Sequence, residues 1–384
     1  MSMAPVPLSR TFSAFGRFAP PALVDARALA RVESITAHLP AALTSWLYFE
    51  TRLGAGEQVD VVLHVDEPGR AILAGENARI ALPEALRAHP TWRRLAAFCR
   101  EWGDETSELH RTVDHLWLEL DAPVAGDDGP PIPGVFICFD ERRPIDYEPR
   151  AWTARALAAL ERLEQRPVAA ATAARLGACF AELPSRAYVP YVGRMMGRPD
   201  DAVRVCVNDI ADADVPRFLA AVGWAGDPAR LADTLAGMRA LPVADGSPAR
   251  GIGMLHFDVG ATVRPRLGLE YALKARPQYG RAIVEQTMLD HLVARGWSTE
   301  EKRARVGDWL GHARETFAHE LWRSVAVRRV NHVKLVYEPD GVVEAKAYLL
   351  GCFRHERDLA PRLDTRRERF AVAAAQAAVA GAVS

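Results

Sequence analysis

The stretch SWLYFETRLGAGEQVDVVLHVDEP, residues 45–68, decides the fold. Strand-like runs occupy 45–52 and 60–66, and Gly54-Ala55-Gly56 marks the turn between them. A strand places every second side chain on one face. One face of this hairpin carries Trp46, Tyr48, Glu50 and Arg52, answered by His64. The other carries Leu47 and Phe49 against Val61, Leu63 and Val65. An apolar face must be covered, whereas a face mixing charges with aromatics can stay wet.

The unit recurs. Further strand pairs are predicted at 115–121 with 135–140, 186–194 with 202–208, 252–259 with 264–273, and 331–337 with 343–350. Their spacing, roughly 65–80 residues, lies outside the common solenoid periods and indicates a repeated supersecondary unit. The second pair offers His115, Trp117 and Glu119 on its polar face. The third offers Arg186 and Tyr188 with Arg204, Cys206 and Asn208. His256 and Asp258 with Arg264, Arg266 and Glu270 come from the fourth, and His332 and Lys334 with Glu344, Lys346 and Tyr348 from the fifth. The opposite faces are almost entirely apolar.

Helical periodicity fills the intervals at 22–43, 83–113 (with a break at Pro90), 150–182, 215–241 and 279–327. An α+β fold follows, in which five hairpins close into a ten-stranded antiparallel barrel surrounded by helices. Closure removes the sheet edges that separate hairpins would expose. The apolar faces then meet the helices, and the polar faces line the lumen. So many charges are too costly to bury as a dry core, which makes the lumen a solvated chamber. The competing arrangement is an open sheet with its polar face in bulk water.

The expected organisation is a loose Pro- and Ala-rich arm over 1–21, one barrel domain over 22–365, and a helix or tail over 366–384. With 49% hydrophobic and 25% charged residues the chain is globular rather than disordered. A net charge of -1 gives no electrostatic case for nucleic acid or an anionic membrane as partner. The opening residues lack a signal-peptide pattern, and no apolar run approaches spanning length. Cys99, Cys138, Cys179, Cys206 and Cys352 are odd in number and widely spaced. That points to reduced thiols, a cytoplasmic location and no zinc site. His312 and His319 are seven apart, not at metal spacing, and Asp127-Asp128 and Asp200-Asp201 read as turns. Phosphate-loop, dinucleotide and nucleophile-elbow signatures are absent.

Three short motifs then carry a resemblance. Tyr48-Phe49-Glu50-Thr51 with the return strand ending at Glu67-Pro68, Arg186-Ala187-Tyr188, and Lys346-Ala347-Tyr348-Leu349 resemble segments of the ABBA (PT-barrel) aromatic prenyltransferases. The nearest likeness is to the bacterial indole or dimethylallyltryptophan-synthase type. The resemblance implies transfer of a prenyl group, dimethylallyl above all, from an allylic diphosphate to an indole, a tryptophan-containing peptide or a phenol.

That chemistry would use the lumen as follows. A leaving diphosphate carries about three negative charges and needs cations in a partly dry cavity; Arg186, Arg204, Arg264, Arg266, Lys334 and Lys346 are the candidates. Tyr48, Tyr188 and Tyr348 would shield the allylic cation, and Trp46 and Trp117 would hold the acceptor. Glu50 would accept a hydrogen bond from the acceptor N–H or O–H, and His64, His115 or His256 would take the proton released on rearomatisation. The scheme calls for no metal or other cofactor. Where the family carries an arginine on its first return strand this chain has Leu63-His64, and 135–139 contains no cation. Either the diphosphate sits toward the fourth and fifth hairpins, or the barrel binds something else, such as a peptide or an anionic small molecule. Hydrolase or lyase chemistry by a Glu/His pair is a third possibility.

Overall fold

A computed structural model describes residues 5–122, 129–139, 148–198, 200–242, 251–273, 275–278, 281–284, 286–315 and 324–355. The expected tail at 366–384, the turn at 126–128 and the strand end at Asp140 lie outside the described residues.

The five hairpins are β1 (Trp46–Arg52) with β2 (Val59–Val65), β3 (His115–Leu120) with β4 (Gly134–Cys138), β5 (Tyr188–Met195) with β6 (Val203–Asn208), β7 (Met254–Val259) with β8 (Val263–Ala272), and, after three further strands, a last long pair. The intervening strands are β9 (Ala275–Gln278), β10 (Arg281–Val284) and β11 (Gly311–Glu315); the long pair is β12 (Ser324–Glu338) and β13 (Gly341–His355). Neighbours pair antiparallel in the order β12-β13-β1-β2-β3-β4-β5-β6-β7-β8, and β8 pairs back with β12, from Leu267↔Tyr337 to Ala272↔His332. The sheet is therefore a closed ten-stranded barrel, and the open-sheet alternative is excluded.

Outer faces pack against helices as their apolar character requires. Phe12 meets Phe49 edge-on at 5.1 Å, Trp152 meets Phe139 at 5.8 Å, Phe218 meets Phe257 at 5.8 Å, and Trp224 meets Tyr337 at 6.1 Å. Tryptophans in this jacket also direct their indole N–H to backbone carbonyls, Trp152 to Val189 and Trp224 to Pro265, both at 2.8 Å. Each thus buries its ring without stranding a donor.

Three expectations change. The opening segment is not loose: the helix Ser9–Gly16 buries Phe12 and Phe15 completely against the barrel wall. The stretch 279–327 is not one helix. It breaks into helices Gln286–Ala294 and Glu300–Arg305, with Gly296 at φ +71° between them and Thr299 capping the second. The other described residues of this stretch form β10, a short 3-10 turn over Val306–Trp309, β11 and the start of β12, where β-branched Val325 and Val327 favour the sheet. Finally, β12 and β13 run well past the barrel, and β11 pairs with the overhang. Elsewhere the helical intervals split at predictable points: His89-Pro90, Gln165 at φ 54° before Pro167, and Gly223 at φ +78°.

Candidate functional site

The lumen divides into two parts. At the end reached by the C-terminus of β1, ion pairs fill it. Arg52 contacts Asp60 at 2.6 Å and Glu344 at 3.3 Å; Lys346 contacts Glu50 at 2.6 Å and Glu344 at 3.4 Å. Arg204 grips Asp258 through two hydrogen bonds of 2.7 and 2.8 Å. Arg204 and Asp258 are directly opposite in the ladder, whereas Arg52 with Asp60 or Glu344 and Lys346 with Glu50 are diagonal neighbours on adjacent strands, still within reach of long side chains.

Toward the other end opens a cup of about 500 Å³. Its wall is aromatic: Trp46, Tyr48, Trp117, Phe136, Tyr191 and Tyr348. Tyr48 lies 5.5 Å from Trp117 and 6.2 Å from Tyr348, centroid to centroid. His64 packs on Trp117 at 4.7 Å and on His115 at 4.5 Å, and His332 stacks on Tyr348 at 4.0 Å. Three carboxylates, Asp114, Glu119 and Glu270, face the same space. Lys334 is the only lysine or arginine among the described residues to line it, with Nζ 3.7 Å from Glu270 Oε1 and 5.6 Å from the Tyr348 ring.

Electrostatics differ sharply across this short distance. Burial opposes the charge on Glu50, but Lys346, Lys334 and Arg52 outweigh it and hold the carboxyl well below the usual range. Burial and the negative Glu50 raise Glu119. His256 is pushed down to about 4 by burial and by Lys334, against the pull of Glu270, whose Oε1 is 2.6 Å from His256 Nε2. Burial also disfavours the Glu270 charge, yet His332 and His256 more than compensate and keep it low. Burial raises the Cys206 thiol, whose Sγ sits 3.2 Å from His256 Nδ1, so it is a protonated thiol.

The expected residues divide accordingly. Trp46, Tyr48, His64, His115, Trp117, His256, Lys334 and Tyr348 come together around the cup. The other expected cations do not. Arg186 precedes β5 and is exposed; Arg264 and Arg266 lie on the exposed end of β8, paired with Asp200 at 2.8 Å and with Glu338 at 3.5 Å. Arg204 and Lys346 are held in the ion-paired layer. Tyr188 is buried beyond the cup, within 3.5 Å of Asn208.

Glu50 is also displaced from its expected role. It is 2% exposed, and its two oxygens are occupied by Lys346 and by the Tyr348 hydroxyl, which donates to it at 2.5 Å. Any influence on a bound molecule passes through Tyr348. Glu119, Glu270 and His332 were visible on the polar faces as alternating residues without an assigned role. Tyr191 and Phe136 were missed. A bulge between Tyr188 and Tyr191 shifts the phase of β5, and Gly193 opposite Phe136 makes room for that ring.

Asp114, His115 and Cys138 form a further group at the wall. Their ligand-type atoms all lie within 4.8 Å of one another, with His115 Nδ1 2.8 Å from Asp114 Oδ2. No helix among the described residues is long and apolar enough to cross a membrane.

No protein-family model matches the chain, and no curated protein does. Among solved structures, a 6-dimethylallyl tryptophan synthase is similar over 89% of this chain and 94% of its own, at 12% identity and a TM-score of 0.48.

Proposed function

We propose that the cup receives an aromatic acceptor, an indole, a phenol or a tryptophan side chain of a peptide, and that the chain transfers to it a prenyl group from an allylic diphosphate. The observation that carries this reading is the cup itself: six aromatic rings and four histidines surround one open space inside a closed barrel. Such walls stack on a flat acceptor and exclude water. They can also shield an allylic cation, each ring contributing about 1–2 kcal/mol once desolvated.

The roles follow from position. Trp46, Trp117 and Tyr48 hold the acceptor. Tyr348, its O–H committed to Glu50, offers its oxygen lone pairs to the acceptor N–H or O–H. Breaking the allylic C–O bond releases diphosphate; the acceptor carbon donates its electron pair to the allyl cation, and the ring proton leaves to His64 or to the Asp114–His115 pair. Lys334, which lines the cup, meets the departing diphosphate in this reading.

One observation favours a second reading, binding without transfer. Lys334 alone must meet the diphosphate, because the other five expected cations are ion-paired away from the cup or exposed outside it. Incubation with dimethylallyl diphosphate and a panel of indoles, tryptophan peptides and phenols, with and without EDTA, separates the two. Transfer predicts an acceptor heavier by one dimethylallyl group. Saturable acceptor binding with unchanged acceptors and no diphosphate binding would leave the second reading in its place. No acceptor binding at all would defeat both.

A further inference from the structure

We infer that Asp114, His115 and Cys138 form a metal-binding site for zinc or a similar borderline-soft divalent ion on the wall of the cup. The donors converge through the ladder rather than through sequence spacing. Cys138 sits directly opposite His115 in the β3–β4 pairing, and the Asp114 backbone N–H donates to the Cys138 carbonyl at 2.8 Å. This fixes the three residues on one rigid piece of sheet. Their ligand-type atoms lie within 4.8 Å of one another, close enough for one ion to draw all three into its coordination sphere. Thiolate, imidazole and carboxylate together form a donor set that suits zinc rather than magnesium or calcium.

The environment agrees with an open site rather than a closed structural one. Asp114 and His115 both line the cup, while Cys138 is fully buried behind them. Three protein ligands leave a further position for water or for an anionic oxygen entering from the cavity, as catalytic zinc sites do. The charge balance points the same way: among the described residues Asp114, Glu119 and Glu270 face the cup against Lys334, so a dication there offsets carboxylate charge. A bound ion also removes His115 from the possible proton acceptors and leaves His64.

The test does not depend on turnover. The full chain is stripped with chelator, then dialysed against zinc and separately titrated with cobalt(II) while absorbance is recorded. The inference expects about one retained zinc per chain, as a single three-ligand site requires, and a thiolate-to-cobalt charge-transfer band. Cys138→Ser abolishes that band. Asp114→Asn and His115→Gln each weaken zinc by more than the roughly 100-fold that loss of an outer-shell partner costs. Zinc should raise the melting temperature of the wild-type chain but not of Asp114→Asn, an exposed position whose substitution leaves the fold intact. No retained zinc in the wild type, or a charge-transfer band that survives Cys138→Ser, would overturn the site. Either result is read whether or not prenyl transfer occurs.

Discussion

Replacing Glu50 by Gln tests whether the ion-paired layer is one interlocked unit. The carboxylate is 2% exposed and contacts Lys346 at 2.6 Å, the Tyr348 hydroxyl at 2.5 Å and Arg52 at 3.6 Å. Removing its charge leaves buried Arg52 and half-buried Lys346 short of an anion. Breaking such a buried pair costs about 3–5 kcal/mol. Lys346 keeps Glu344 at 3.4 Å and Arg52 keeps Asp60 at 2.6 Å, so the loss belongs at the low end, about 3 kcal/mol. Urea unfolding of the wild type, Glu50→Gln, Lys346→Met and the double variant measures it. The double variant should be less destabilised than the sum of the singles by about 1–3 kcal/mol, the coupling expected of contacting groups. A Glu50→Gln loss under about 1 kcal/mol, or strict additivity, would refute the reasoning and make the layer a set of independent surface-like pairs.

Other outcomes follow from the same structure. Phe12→Ala should cost about 3–5 kcal/mol, because its ring is fully buried on Phe49; thermal unfolding would show almost no change if the N-terminal segment were loose. Gly193→Ala places a methyl 2.8 Å from the Phe136 ring, so it should cost about 1–3 kcal/mol by overpacking and weaken binding of aromatic ligands, read by denaturation and calorimetry. His256 has its pKa depressed from 6.5 to about 4. The unfolded chain therefore binds the proton first as pH falls, and stability contributed by this residue declines from pH 6.5 down to about 4, by up to about 3 kcal/mol. His256→Gln should flatten that segment of the stability–pH curve. Tyr348→Phe and Glu50→Gln should each lower acceptor affinity by about tenfold, and the double variant should be no worse than either, because both act through one hydroxyl.

The barrel was legible because its signal is local and redundant. Alternation in β1 and β2 alone separates Tyr48 and His64 from Phe49 and Leu63, and four further hairpins repeat the pattern. Side-chain facing follows from period two once a strand is found. The pairing of charges was not legible, since it depends on register. That Arg204 meets Asp258 and that Lys346 meets Glu50 requires knowing which strands adjoin and at what offset. The cup's extent was hidden for a related reason: the β5 bulge carries Tyr191 to the face that simple alternation gives to Tyr188. The grouping of Asp114 with Cys138 spans a hairpin whose register no sequence spacing encodes. Segment 279–327 was misjudged because Ala, Leu and Arg periodicity continues through Gly296 and Gly307, where the helices stop, and because Gly311–Glu315 pairs with the long hairpin, tertiary pairing there winning over helical propensity.

The central claim, that the polar faces of the strands enclose an open aromatic cup, is tested most directly by a crystal structure of the full chain grown with a saturating indole. Ring density inside the barrel, between Trp117, Tyr48 and Tyr348, is the predicted result. A lumen closed by its own side chains, with indole only on the outer helices or nowhere, would contradict it.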